Sequence, residues 1–149
     1  MATHHLAQLN IARLRAPLDS PQLAGFVAAL EPVNAMADAA PGFVWRLQTE
    51  DGDATSIRAF DDDMLLVNMS VWESIKALQE FVYRNTGHRD IFRRRNEFFE
   101  RDEPYLVLWW IPAGTIPTID EAKERLELLS TEGPSPRAFT FRSPFAENS

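Results

Sequence analysis

At 149 residues and 17.0 kDa, with 45% hydrophobic and 11% aromatic side chains, the chain has the size and apolar content of one folded domain rather than a disordered segment. A net charge of −7 speaks against nucleic acid as a partner, because neutralising phosphates takes a basic face. The absence of Cys removes disulfides, thiolate metal sites and Cys nucleophiles together, and suits a reducing cytoplasm.

The first residues, Met1 to His5, carry neither the basic nor the apolar block of a secretory leader. The longest apolar run, residues 105–111, is far short of the roughly 20 residues that span a bilayer. A cytoplasmic protein without a membrane anchor is the expectation.

Residues 5–14 alternate as a strand, with Leu6, Gln8 and Asn10 on one side and Ala7, Leu9 and Ile11 on the other. Ser20-Pro21 reads as a helix start, Ser at the N-cap and Pro at the first helical position. Leu23, Phe26, Val27, Leu30, Asn34 and Ala37 then form an apolar-sided stripe, which Pro32 should bend and Pro41-Gly42 should end. Residues 43–48 make a second strand, with Arg46 sharing a face with Val44 and Gln48. Residues 49–64 are a polar, turn-rich connection with a short extended piece at 56–60.

A third strand spans residues 65–72 and runs through Trp72-Glu73-Ser74 into a long helix that carries His88 and Arg89. The fourth strand, residues 105–111, is apolar on both faces and is expected to be central. Thr118 and Glu121 form a capping box opening a helix that buries Ala122, Leu126 and Leu129. Gly133-Pro134 stops it, and residues 137–142 make a short last strand.

Two strand–helix–strand units predict a single α+β domain over 1–149, core about 4–145, with a ferredoxin-like split βαβ plan. Helices are expected on one sheet face only. The other face would expose several Trp, Leu and Val side chains, so a homodimer packed sheet on sheet is expected, giving a dimeric α/β barrel.

The run Val71-Trp72-Glu73-Ser74-Ile75-Lys76-Ala77-Leu78, followed ten residues later by His88, resembles the Trp-x-Ser-x-x-x-Leu…His segment of antibiotic-biosynthesis-monooxygenase-type proteins, which are dimeric α+β barrels. Residues 33–38 (VNAMAD), 41–48 (PGFVWRLQ) and 93–99 (RRRNEFF) are similar to the DUF3291 family of the same superfamily, over nearly the whole chain. The resemblance implies the fold and the dimer. It also implies that Asn68 and Trp72, four residues apart, line a substrate pocket as in cofactor-free monooxygenases, and that His88 takes the place of a late-helix His. Phe81 stands where many of those enzymes carry an earlier His.

The candidate catalytic residues are His88 and Asn68, with Trp72, Asn34, Ser70, Phe81 and Phe92 as candidate substrate contacts. On a continuous helix Phe81, His88 and Phe92 share one face, where a neutral imidazole serves as base, donor or axial ligand, or else as a core His bonded to a carbonyl. Asn34 sits on the apolar stripe, bonded either to backbone groups freed by Pro32 or to a ligand. Asn68 and Ser70 interrupt an apolar strand, as pocket lining or as cross-strand bonds. Arg46 reads either as a holder of an anionic group or as a surface or interface ion pair, the second being favoured, and Asp61-Asp62-Asp63 as a solvated loop.

No Gly-rich phosphate loop, Gly-x-Ser-x-Gly elbow or His-Glu-x-x-His occurs. No cofactor and no metal is expected, with haem bound through His88 as the outlying alternative. The readings that remain are a cofactor-independent, monooxygenase-like enzyme acting on a small hydrophobic or aromatic molecule, and a homodimeric protein that binds or senses such a molecule without chemistry.

Overall fold

In the computed structural model, which describes residues 3–17, 19–47, 65–84, 99–100 and 106–146, the longest strand is β1 (His4–Leu14), and the sheet is built around it. β1 pairs antiparallel with β3 (Leu65–Trp72) on one side and with β5 (Leu106–Pro112) on the other. β2 (Phe43–Arg46) adds outside β3, and the two-residue β4 (Phe99–Glu100) lies beside the end of β1 at Arg13 and Leu14. The order β2–β3–β1–β5, with every pair antiparallel, is the ferredoxin-like arrangement that the two strand–helix–strand units predict.

Directly opposed residues of antiparallel strands share a face, so the register sorts the side chains into rows across the sheet. On one face the first row reads Trp110, Leu6, Trp72, Phe43 from β5 to β2. The second reads Leu108, Gln8, Ser70, Arg46, and the third Leu106, Asn10, Asn68. Leu66 and Leu14 follow farther along. Polar side chains thus fill the middle of this face and apolar ones its two ends.

Each apolar end carries its own helix. α1 (Ala24–Asp38) follows a single 3-10 turn at Pro21–Leu23 and packs Leu23 and Phe26 on Leu14 and Leu66. α2 (Ile75–Arg84) packs Leu78 and Phe81 with Leu6, Trp72 and Leu108. The C-terminal segment adds Phe139, Phe141 and Phe145 to the α2 cluster. On the opposite face Ala122, Leu126 and Leu129 of α3 (Ile119–Glu132) join Ala7, Leu9, Val107, Trp109 and Ile111.

Several expectations change here. The helices are not confined to one face, since α3 covers β5 and β1 on the side that was to be left bare. Trp109, Met69 and Val71 are buried within a single chain, so those side chains do not need a second copy to hide them. The strand after α2 is not central. Its two apolar faces reflect cover by α3 on one side and by the α2 cluster on the other, and its outer edge is closed by Phe139, whose N–H and C=O bond Leu108 at 2.9 and 2.8 Å. That contact and a bridge from Ser135 to Ala138 are all that forms of the expected last strand among the described residues.

Local signals fare unevenly. Thr118 caps α3 as expected, accepting from the Glu121 N–H at 3.1 Å, and Gly133 ends it at φ 76°. Ser20 and Pro21 do stand at the N-cap and first position, but of the 3-10 turn that leads into α1, and the Ser20 hydroxyl turns back to the Pro17 carbonyl instead of capping. α1 continues through Pro32 to Asp38. The expected extended piece at 56–60 lies outside the described residues, and so does the continuation of the second helix past Arg84.

Gly42 joins α1 to β2 at φ 83°, and its carbonyl accepts from the Glu73 N–H at 2.8 Å. A Cβ at this position would sit 2.5 Å from the Cβ of Ala77 on α2. Backbone conformation and close approach both require Gly, because the turn presses α2 against the β2–β3 edge. Gly42→Ala is expected to cost about 1–3 kcal/mol, and each kcal/mol lowers the thermal midpoint of a domain this size by roughly 2–4 °C. A melt followed by circular dichroism measures it; an unchanged midpoint would mean that α2 does not press on this turn.

Candidate functional site

The site is built from β1 and β3, the two strands with partners on both sides. β3 alternates so that Leu66, Asn68, Ser70 and Trp72 face α1 and α2, while Val67, Met69 and Val71 face the α3 cluster. Register then sets Gln8 opposite Ser70 and one position from Asn68.

The hydrogen bonds follow from donor and acceptor identity. The indole N–H of Trp72 is a donor only, and it donates to Ser70 Oγ at 2.8 Å. Gln8 Nε2 donates to the same oxygen at 2.8 Å and to Asn68 Oδ1 at 2.8 Å. Ser70 Oγ therefore accepts twice, and its hydroxyl hydrogen is left to donate elsewhere. Asn68 accepts through Oδ1, which leaves its Nδ2 amide as a donor outside this network. Gln8 and Ser70 are buried, at 4% and 7% exposure, whereas Asn68 is exposed between buried Val67 and Met69.

Asn68 is thus exposed at the middle of a central strand, on the side that two helices pack against. Beyond buried Ser70, the same face of β3 ends in aromatic rings. Trp72 stacks on Phe81 with ring centres 5.4 Å apart at 30°, and Phe43 meets Trp72 edge-on at 5.4 Å. A planar apolar body beside the rings could place an oxygen at the Asn68 amide and the Ser70 hydroxyl.

Of the residues read from sequence, Asn68, Ser70, Trp72 and Phe81 come together. Asn34 is half-buried on α1, outside the network. His88 and Phe92, with Arg89 and Asp61-Asp62-Asp63, lie outside the described residues. Gln8 was not singled out, although a Gln between Leu6, Ala7 and Leu9 in an alternating strand was a visible signal. It is the residue that ties Asn68 to Ser70.

The two adjacent tryptophans of β5 are structural. Trp109 lies under α3 and donates to Glu121 Oε2 at 2.6 Å, so the Glu of the capping box serves the sheet through its carboxylate. Trp110 donates to the Phe145 carbonyl at 2.9 Å, which fastens the C-terminal segment. Arg46 meets Asp38 at the end of α1, Nε to Oδ1 at 2.8 Å and Nη2 to Oδ2 at 3.3 Å, the ion pair expected of it. A bulge between Phe43 and Trp45 changes its company, however. Arg46 shares a face with Phe43 and Ser70 instead of Val44. Among the described residues no group of three His, Cys, Asp or Glu is arranged to hold a metal, and no helix is long and apolar enough to cross a membrane.

Comparison with solved structures finds similar chains at low sequence identity. SnoaB, a cofactor-independent oxygenase from Streptomyces nogalater, is 19% identical over 76% of this chain and 98% of its own, with a TM-score of 0.47. PA3566 from Pseudomonas aeruginosa is 14% identical over 77% of this chain and 98% of its own, with a TM-score of 0.50. A candidate antibiotic biosynthesis monooxygenase from Nitrosomonas europaea is 12% identical over 79% of this chain and 96% of its own, with a TM-score of 0.49. Comparison with curated proteins finds no match.

Sheet order and helix placement define a ferredoxin-like α+β domain. The chain belongs to DUF3291, a domain family of unknown function, whose model matches residues 5–149.

Replacing Gln8 by Leu would keep the volume but strip Asn68 and Ser70 of their shared donor. The expected cost is about 0.5–1.5 kcal/mol, the net worth of a hydrogen bond, because Ser70 Oγ keeps the Trp72 N–H and the exposed Asn68 turns to water. Urea denaturation of parent and variant measures this, and an equal midpoint would show that the network does not hold the two strands.

Proposed function

We propose that the chain takes a small hydrophobic or aromatic molecule carrying an oxygen onto the polar middle of its sheet, and oxidises it with O₂ without a resident cofactor. The observation that carries this reading is the exposed Asn68 amide, held by buried Gln8 and linked through Gln8 and Ser70 to the Trp72 ring that stacks on Phe81. Pockets for such ligands are mostly apolar with a few converging polar groups. A preorganised amide N–H also stabilises an oxygen on which negative charge develops. In this reading His88 takes the proton of the substrate, and the resulting electron-rich anion gives electrons to O₂ directly. The resemblance of the Trp72-Glu73-Ser74 segment to cofactor-free monooxygenases favours chemistry over binding alone.

An oxygen electrode with a panel of phenols and hydroquinones tests it. Turnover of at least one of them is expected, with Asn68→Ala lowering kcat by about a hundredfold or more, the usual effect of losing one oxyanion donor. His88→Gln should lower turnover while the thermal midpoint stays near the parent's. Binding without O₂ uptake would leave a sensing or carrier protein. A Soret band in the purified protein would instead bring haem to His88.

The homodimer through the sheet belongs to the same proposal. It no longer has to cover Trp109, so it draws on the β2–β3 side of that face, where Trp45 and Leu47 are half-buried. Light scattering at micromolar concentration should give twice 17.0 kDa, and a species of 17.0 kDa alone would remove the dimer.

A further inference from the structure

The third row of the helix-facing side sets two asparagines against each other. Asn10 of β1 and Asn68 of β3 are direct partners across the central strand pair, and Leu106 of β5 completes the row. Asn is disfavoured in strands, and here two of them stand opposed where both strands have neighbours on each side. The Cβ atoms of directly opposed residues lie about 4.5–5.5 Å apart, so one small group can touch both amides.

The two amides do not satisfy each other. Asn68 accepts from Gln8 at 2.8 Å through Oδ1, which leaves its Nδ2 uncommitted. The half-buried Asn10 side chain makes no hydrogen bond among the described residues, and its polar atoms are not sealed in, since His5 Nδ1 is the one buried, unbonded side-chain polar atom there. Leu in place of Asn10 would join the apolar ends of this face, so the fold gains nothing from the amide. Charge is absent from the row as well. The one charged side chain in this and the two preceding rows at described positions is Arg46, which Asp38 engages. A carboxylate brought onto these amides would lose hydration without a counter-charge, and would approach a chain of net charge −7.

We infer that Asn10 is a ligand-binding residue, and that it shares with Asn68 a single ligand oxygen, that of an uncharged hydroxyl group. The inference rests on the proposed function and narrows its substrate class to neutral hydroxylated molecules, with ionised acids excluded. A hydroxyl donates once and accepts, which matches the two ends of an amide pair: Asn10 Oδ1 takes the O–H, and Asn68 Nδ2 donates to the oxygen. Half-buried Leu106 continues the row and gives the apolar body of the ligand a place beside the amides. That place is away from the Trp72 ring, which is 1% exposed and already covered by Phe43 and Phe81.

Three probes of one shape test it by equilibrium dialysis at neutral pH: 2-naphthalenemethanol, 2-methylnaphthalene, which lacks the oxygen, and 2-naphthoate, which is ionised. Asn10→Leu is expected to weaken naphthalenemethanol roughly three- to tenfold, the scale of one hydrogen bond, and to leave methylnaphthalene as tight or tighter. Asn68→Leu should act in the same way, and the double variant should lose less than the product of the two, because both amides hold one oxygen. Naphthoate should bind the parent roughly tenfold more weakly than naphthalenemethanol. The thermal midpoint of Asn10→Leu should equal or exceed the parent's, which separates a binding role from a structural one. Naphthalenemethanol binding that survives Asn10→Leu but falls in Asn68→Leu, a lowered midpoint, or equal losses for the two uncharged probes would overturn the role of Asn10 and leave the pocket intact. Additive losses in the double variant would overturn the shared oxygen, and naphthoate bound as tightly as naphthalenemethanol would overturn the neutral ligand class. Failure of all three probes to bind would overturn the pocket and the inference with it.

Discussion

Eight consecutive residue pairs between β1 and β3, from Leu6 opposite Trp72 to Arg13 opposite Leu65, set everything else in this molecule. Side chains of a strand alternate between faces, so a slip of one residue would send Ala7 and Leu9 to the helices and Gln8 to the α3 side. The buried cluster under α3 would then receive an amide, and Trp72 would lose the row it shares with Leu6 and Phe43. Burial on both faces of both strands holds the register. The same register brings Gln8 to Ser70, so core and candidate site are consequences of one alignment.

The helix-facing side of the sheet is divided by chemistry. Apolar side chains at its two ends seat α1 and α2 separately, and the polar rows between them seat neither. A continuous apolar face would have drawn both helices down along their length. Instead α1 keeps no large side chain fully buried between Ala24 and Asp38. Its ends are held, at Leu23 and Phe26 and again at Asp38, above a strip whose Asn68 faces solvent. Placing polar groups among the core-facing positions weakens packing; here the loss coincides with the only place on the described sheet where Gln8, Ser70 and Trp72 form one hydrogen-bonded network.

Three indole N–H groups are bonded in this structure, and each has a different task. Trp72 fixes the polarity of Ser70, Trp109 joins β5 to the start of α3, and Trp110 ties β5 to the C-terminal segment. An indole donates once and never accepts, so each ring serves as a peg with one direction. The first peg belongs to the candidate site. The other two hold the layers that enclose the sheet, one on each face.

Much of this was legible in the residues themselves. Alternation in 5–14 and 65–72, the Thr118 cap, the Gly133 stop and the two strand–helix–strand units fixed the strands, most helix ends and the ferredoxin-like order, because those signals depend on neighbours a few positions apart. Asn68 and Ser70 became candidates because polar groups stood out from an apolar alternation, Trp72 through the family resemblance, and Phe81 through its helical spacing to His88. Other features required the third dimension. An apolar strand reports burial of its faces but not its rank in the sheet, so β5 could be misplaced, and a helix pattern does not say which face it will cover, so α3 could be missed as the cover of the second face. The bulge that turns Arg46 toward Ser70 is one extra residue against a partner strand, invisible without that strand. Gln8 joined the candidate site only when β3 was laid beside it, since a hydrogen bond between residues 60 positions apart is decided by register and not by sequence.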